Sequence, residues 1–209
     1  MRIVVVPPPQ MVANLKAGHL DGFCVGEPWN TVAIKAGIGW SVAASAELDP
    51  GHPEKVLMVR KEFAEKSFEP HLALVAAILE ACEYCDQPEH HERVVHTLSR
   101  SEFVGVAADC LSPGFDGRFD FGHGRTREVR DFTVFHRGGC NEPSDEKAAW
   151  VLDQLRGHGY CPDRLLPNVA LTRRVFRADL FAQAFRLRSS TTTNLKSEDR
   201  KSTRLNSSH

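Results

Sequence analysis

The sequence predicts an α/β fold built from βαβ units, and three observations carry that reading. Short apolar runs rich in β-branched residues, at Arg2 to Val6, Phe23 to Val25, Gly39 to Ala44 and Val56 to Val59, have the composition of strands covered on both faces. Helical periodicities separate the first of these runs, and a strand–helix–strand–helix rhythm calls for crossover connections and a parallel sheet. From about residue 69 the pattern turns to amphipathic helices, so strands fall early and helices late.

Taken in order, Pro7, Pro8 and Pro9 close the first strand, because proline has no N–H to give a ladder. Gln10 to Ala17 reads as a short helix with Met11, Val12 and Leu15 on one face and Gly18 as its stop. Asp21-Gly22 turns the chain into Phe23-Cys24-Val25, and a helix from about Pro28 to Ala36 follows, closed by Gly37. A long helix over Glu69 to Asp86 places Leu72, Val75, Leu79 and Cys82 on one stripe. Pro88 opens another that carries Val94, Val95 and Leu98. Cys110 to Thr133 is rich in glycine and polar residues and reads as loop, with Phe132, Val134 and Phe135 as an anchoring patch after it. Ser144 can cap a helix to His158 whose Ala148, Val151, Leu152 and Leu155 face inward. A last helix is expected over Arg177 to Leu187.

Composition narrows the function classes. The 209 residues are 42% hydrophobic and 25% charged, which excludes disordered, collagen-like and coiled-coil chains. With 26 Lys+Arg against 27 Asp+Glu the net charge is -1, so there is no electrostatic footprint for nucleic acid or an anionic membrane. No run approaches the ~18 apolar residues of a bilayer span. Met1-Arg2 leads straight into the first expected strand and does not read like the start of an export signal. Six cysteines are too few for a disulfide scaffold and lean towards a reducing compartment. From Ser189 onward only Leu195 and Leu205 are apolar, so the tail is expected to lie outside the fold, and Arg200 to His209 looks like translated adapter sequence. A buried-type strand starting at Arg2, with nothing before it to pair with, points to a chain that begins within a domain.

Few residue groups point to chemistry. Cys82-Glu83-Tyr84-Cys85 is a single C-x-x-C pair inside a helix whose apolar stripe already includes Cys82, so packing explains it better than zinc or redox work. The histidines are scattered, and Gly122-His123-Gly124 and Gly138-Gly139 lack the strand-to-helix setting of a phosphate loop. No catalytic residue, metal ligand or cofactor is assigned. Asp21 to Asn30 is more informative: a strand ends at Val25, Gly26 permits close backbone approach, and a helix starts near Pro28. Ligands of open α/β sheets gather at such strand ends, and helix N-termini favour anions. The same segment is equally a plain strand–turn–helix joint with Trp29 in the core. Lys55, ahead of an apolar strand, is either an exposed lysine or a partly buried ammonium that pairs with a bound anion.

Val4 to about Phe185 resembles the nitrate/bicarbonate family of ABC-transporter substrate-binding proteins. The stretches that carry the likeness are Pro7 to Leu15, Asp21 to Asn30, His52 to Leu57, Glu80 to Asp86 and Asp131 to Arg137, with Gly22-Phe23-Cys24-Val25-Gly26-Glu27-Pro28-Trp29-Asn30 the most distinctive. The resemblance implies a type II periplasmic-binding-protein-like fold of two α/β lobes, present as a C-terminal fragment. In that scheme residues 1–54 end lobe two, the hinge lies around Glu54 to Val59, residues 55–188 complete lobe one, and residues 189–209 are a non-native tail. It further implies that Val25, Gly26 and Glu27 line the cleft while Lys55 meets the anion. Nitrate accepts hydrogen bonds and donates none, so lysine and amide donors suit it better than bicarbonate, which would want an acceptor. Glu142-Pro143-Ser144-Asp145 departs from the aromatic-rich pattern expected there.

The function so implied is the solute receptor of an importer for nitrate or nitrite, with ABC permease subunits as partners and a place in the periplasm or anchored on the outer side of the inner membrane. The alternative is a cytoplasmic nitrate/nitrite sensor of the same fold acting on a regulatory protein, which the cysteine count favours. An enzyme of the related pyrimidine-precursor synthase group is weaker, because its Cys- and His-rich motif has no counterpart here.

Overall fold

The computed structural model describes residues 1–160 and 169–188. The expected tail from residue 189 lies outside the described residues. The chain divides into two compact units, one of Met1–Gly51 with Cys85–Val134, the other of His52–Tyr84 with the chain from Phe135 onward. The chain leaves its first unit at residue 51 and returns to it after the long helix, where α7 packs on α2.

In the first unit, helix α1 (Pro8–Lys16) and helix α2 (Trp29–Lys35) pack together. Each ends as its sequence requires. Gly18 and Gly37 take positive φ values of 75° and 68°, and Gly18 N–H and Gly37 N–H donate to the carbonyls of Leu15 and Ile34. A short α3 (Ser45–Leu48) follows, with the Glu47 carboxylate accepting the Ala44 amide at 2.9 Å. After the second unit's excursion come α6 (His91–Ser99), entered through a 3-10 turn at Pro88–His90, and the short α7 (Ala108–Leu111) and α8 (Pro113–Asp116). Helix α7 packs against both α6 and α2.

The main departure from expectation is a β-hairpin inside the stretch read as loop. Strands β1 (Arg118–Asp120) and β2 (Thr126–Glu128) pair antiparallel, with Phe119 opposite Arg127. The turn between them needs three left-handed residues in a row, Gly122, His123 and Gly124, at φ 81°, 55° and 71°. Phe119, Phe121 and Val129 form the unit's core cluster, with Ala44, Ala46 and Phe132 packed on it. Two arginines cover the aromatic surface, Arg127 over the Phe121 ring at 4.7 Å and Arg125 over Trp40 at 5.0 Å.

The expected parallel strands are the correction. Residues 2–6, 23–25 and 56–59 carry no ladder, and the 39–44 run is tied to the hairpin by Ser41 N–H donating to the Phe121 carbonyl at 2.9 Å. A ladder needs a neighbouring strand, and among the described residues none lies beside these runs. Much of the first and last of these runs stays in water, with Val5 99% and Met58 87% exposed, whereas Phe23 and Val25 are half-buried.

In the second unit, helix α4 (Lys61–Lys66) leads into α5 (Phe68–Cys85), which ends within a residue of its expected limit. Its stripe does what the spacing predicts. Leu79 and Ala76 are buried against Ala184, with Leu72, Val75 and Phe181 around them. Helix α9 (Asp145–Gly157) is capped by the Ser144 hydroxyl, which accepts the Lys147 amide at 3.4 Å. Its Ala148 is fully buried, whereas Leu155, expected inside, is exposed. Helix α10 (Val169–Val175) and helix α11 (residues 178–188) complete the unit. Arg188, near the end of α11, lies over Phe185 and binds Glu83 of α5 at 2.8 Å. Among the described residues no helix is long and apolar enough to cross a membrane.

Candidate functional site

The segment Val25 to Thr31 is braced by its own side chains. Phe23 and Val25 to Glu27 are half-buried, Pro28 is buried, and the Glu27–Pro28 peptide is cis. Pro28 stands at the N-cap of α2 and offers no side-chain acceptor to the helix's free amides. Glu27 supplies one instead, its Oε2 accepting the Thr31 amide at 3.2 Å. Asn30 turns back across the joint and its Nδ2 donates to the Val25 carbonyl at 2.8 Å. Buried Thr31 and Ala33 hold this face of α2 in the unit.

The charges around α2 are settled among themselves. Lys35, at its C-terminal end, donates to the carboxylate and to the backbone carbonyl of Asp109 on α7, the latter at 2.9 Å. That ammonium holds the Asp109 carboxyl below its usual range. Burial pushes the Cys110 thiol up, the Asp109 carboxylate adds to the effect, and Glu27 contributes in the same direction. The Glu27 carboxylate is therefore felt on α7.

Of the two settings considered for Lys55, the structure has the exposed one. Its side chain is 77% exposed and its Nζ is 2.7 Å from Oε1 of the adjacent Glu54. The two side chains form an exposed neighbour pair, of a kind worth little in water. Val25, Gly26 and Glu27 are contiguous in the first unit, and Lys55 belongs to the second. Cys82 and Cys85 sit half-buried on α5, and burial together with Asp86 pushes the Cys85 thiol up, away from the thiolate that metal binding or nucleophilic attack needs. Among the described residues no group of three or more His, Cys, Asp or Glu is placed to hold a metal ion.

Two polar clusters escaped the sequence reading. Arg125 donates to the Ser41 carbonyl at 3.0 Å while lying over Trp40, whose ring is 5.8 Å from that of His123. Alternation of polar and aromatic residues from Arg118 to Phe121, just before Gly-x-Gly, is the pattern that could have revealed the hairpin holding this group. The second is Lys147, whose ammonium donates to the carbonyls of Gly139, Cys140 and Glu142. Nothing in residue spacing announces that arrangement.

The sequence profile of the NMT1-like family matches residues 1–99. The chain is 43% identical over 187 residues to the nitrate import ATP-binding protein NrtC of Synechocystis sp., a match covering 89% of this chain and 28% of that protein. It is 35% identical over 188 residues to the bicarbonate transport ATP-binding protein CmpC of Synechococcus elongatus, covering 89% of this chain and 27% of the relative. Its structure is similar to the crystal structure of the periplasmic nitrate-binding protein NrtA from Synechocystis PCC 6803, with a TM-score of 0.83 and 31% identity over 88% of this chain and 48% of that one. The chain spans less than half the length of each of these proteins. On these matches the chain has a periplasmic-binding-protein fold and belongs to the nitrate/bicarbonate family of ABC-transporter substrate-binding proteins.

Proposed function

We propose that the gene product carrying this chain is the solute receptor of an ABC importer for a small oxyanion, nitrate or nitrite, that binds by hinge closure without chemical turnover. The observation that supports it best is the structural likeness to a periplasmic nitrate-binding protein over 88% of the chain. In this reading Val25 and Gly26 line the cleft and Lys55 supplies the positive charge. An anion would take Lys55 from Glu54, an exposed partner that holds it weakly. Donors from lysine and backbone amides match an acceptor-only anion better than bicarbonate. The protein works outside the inner membrane, in the periplasm or anchored to it, and hands its anion to permease subunits.

A second reading rests on one observation. The 43% match is to an ATP-binding protein, of which the matched part is 28%. In that case the segment is a cytoplasmic sensor of the same anion, acting on a regulatory or ATP-binding partner rather than delivering solute. Calorimetry of the full gene product with nitrate, nitrite and bicarbonate tests the shared claim, and export of a tagged gene product to the periplasm separates the two readings. Binding with export favours the receptor, and binding without export favours the sensor. Absence of binding to all three anions removes both.

A further inference from the structure

The joint at Val25–Thr31 contains two side-chain bonds that any anion-binding role leaves unexplained. Asn30 reaches back five residues to the Val25 carbonyl, and the Glu27 carboxylate is committed to the Thr31 amide. Between them Pro28 is buried, and its carbonyl accepts the Val32 amide at 2.9 Å. The segment ahead of α2 is therefore tied at two points, residues 25 and 27, to the first turn and a half of that helix. Glu27 is a poor partner for nitrate, since a carboxylate offers only acceptors to an anion that itself only accepts. The carboxylate is engaged instead by the Thr31 amide of α2.

We propose that Glu27 and Asn30 are positioning residues: they hold the Val25–Gly26 backbone in the one conformation that presents it to the anion, and Glu27 itself makes no contact with the ligand. This rests on the anion-receptor reading above. The two roles make opposite demands on Glu27. A brace needs an acceptor for the Thr31 amide but no charge, so a glutamine should serve. A group facing the anion would be felt through its charge, and removing that charge would change affinity sharply. Asn30 needs a donor, so aspartate, alike in shape but without the N–H, should fail.

The test is nitrate titration calorimetry on the full gene product, with amide hydrogen exchange read over residues 25–29. Expected is an affinity for Glu27→Gln within about twofold of the unaltered protein, because the acceptor survives. Glu27→Ala and Asn30→Asp should each bind about fivefold or more weakly, with faster exchange at residues 25–29, as loss of one constraining hydrogen bond implies. Should the alanine variant fail to fold, the Glu27→Gln and Asn30→Asp pair still decides the matter. A tenfold or larger change for Glu27→Gln would place its charge against the ligand and overturn the proposal. Unaltered affinity and exchange in Asn30→Asp would overturn it as well. If the unaltered protein binds no anion, the receptor reading falls and this inference with it, whereas binding with indifferent variants sinks the inference alone.

Discussion

Replacing Lys147 by methionine should loosen the loop that leads into α9. The ammonium donates to three carbonyls, at 3.1 Å from Gly139, 2.7 Å from Cys140 and 2.7 Å from Glu142, and so gathers the turn that leads into α9. Methionine keeps the stem that packs along α9 and removes only the charged donor. A hydrogen bond from a charged group contributes about 1.5–3 kcal/mol when buried. Lys147 is half-buried, so water replaces part of each bond and about a third of that figure is reasonable per contact. Three contacts then give a loss of about 2 kcal/mol, or roughly 4–8 °C in midpoint for a chain of this size. Urea unfolding followed by circular dichroism reads the total, and hydrogen exchange at residues 139–142 reads the locality. A loss below about 0.5 kcal/mol with unchanged exchange would show that three short contacts to a lysine contribute nothing net here, and would refute the reasoning.

Two further outcomes follow from the same structure. Gly122→Ala should cost roughly 2–4 kcal/mol in urea unfolding, from a left-handed backbone and a crowded Cβ; that Cβ would stand 2.8 Å from Trp40 Cβ at φ +81°. A cost under about 1 kcal/mol would mean that the hairpin turn relaxes freely. Burial, assisted by Arg177, holds the buried His71 below its ordinary pKa. The unfolded chain then binds more protons than the folded one in mild acid, so stability is complete above about pH 6.5 and falls as pH drops below it. Unfolding series at pH 7.5 and 5.5 on the unaltered protein and on His71→Phe should show the acid loss shrinking in the variant; an equal loss in both would assign it to other groups.

What could be read in advance was whatever depends on near neighbours along the chain. The limits of α2, α5 and α9 follow from Gly37, from the Leu72–Val75–Leu79 stripe and from the Ser144 cap, all within a turn or two of the residues they govern. The hairpin was missed because Gly122, Gly124 and the charged residues around them outweigh Phe119, Phe121 and Val129 in any count of polarity, although those three form the core. The early apolar runs were expected to pair into a parallel sheet and carry no ladder among the described residues, since pairing is a property of distant chain. Leu155 is exposed for the same reason: its face of α9 was legible, and what covers that face was not. At the site, Pro28 foretold where α2 begins, while the strand expected ahead of it is absent and the Asn30 bond to Val25 required coordinates. Lys55 was judged by its position ahead of a strand, and its pairing with adjacent Glu54 was visible in the sequence but given no weight.

The most direct measurement is nitrate binding by the full gene product before and after Lys55→Ala. A solute receptor that draws its positive charge from Lys55 should titrate with nitrate or nitrite and lose at least about tenfold in affinity in the variant, about 1.4 kcal/mol. Identical affinities would take Lys55 out of the site, and an absence of heat with nitrate, nitrite and bicarbonate alike would contradict the assignment of an anion receptor altogether.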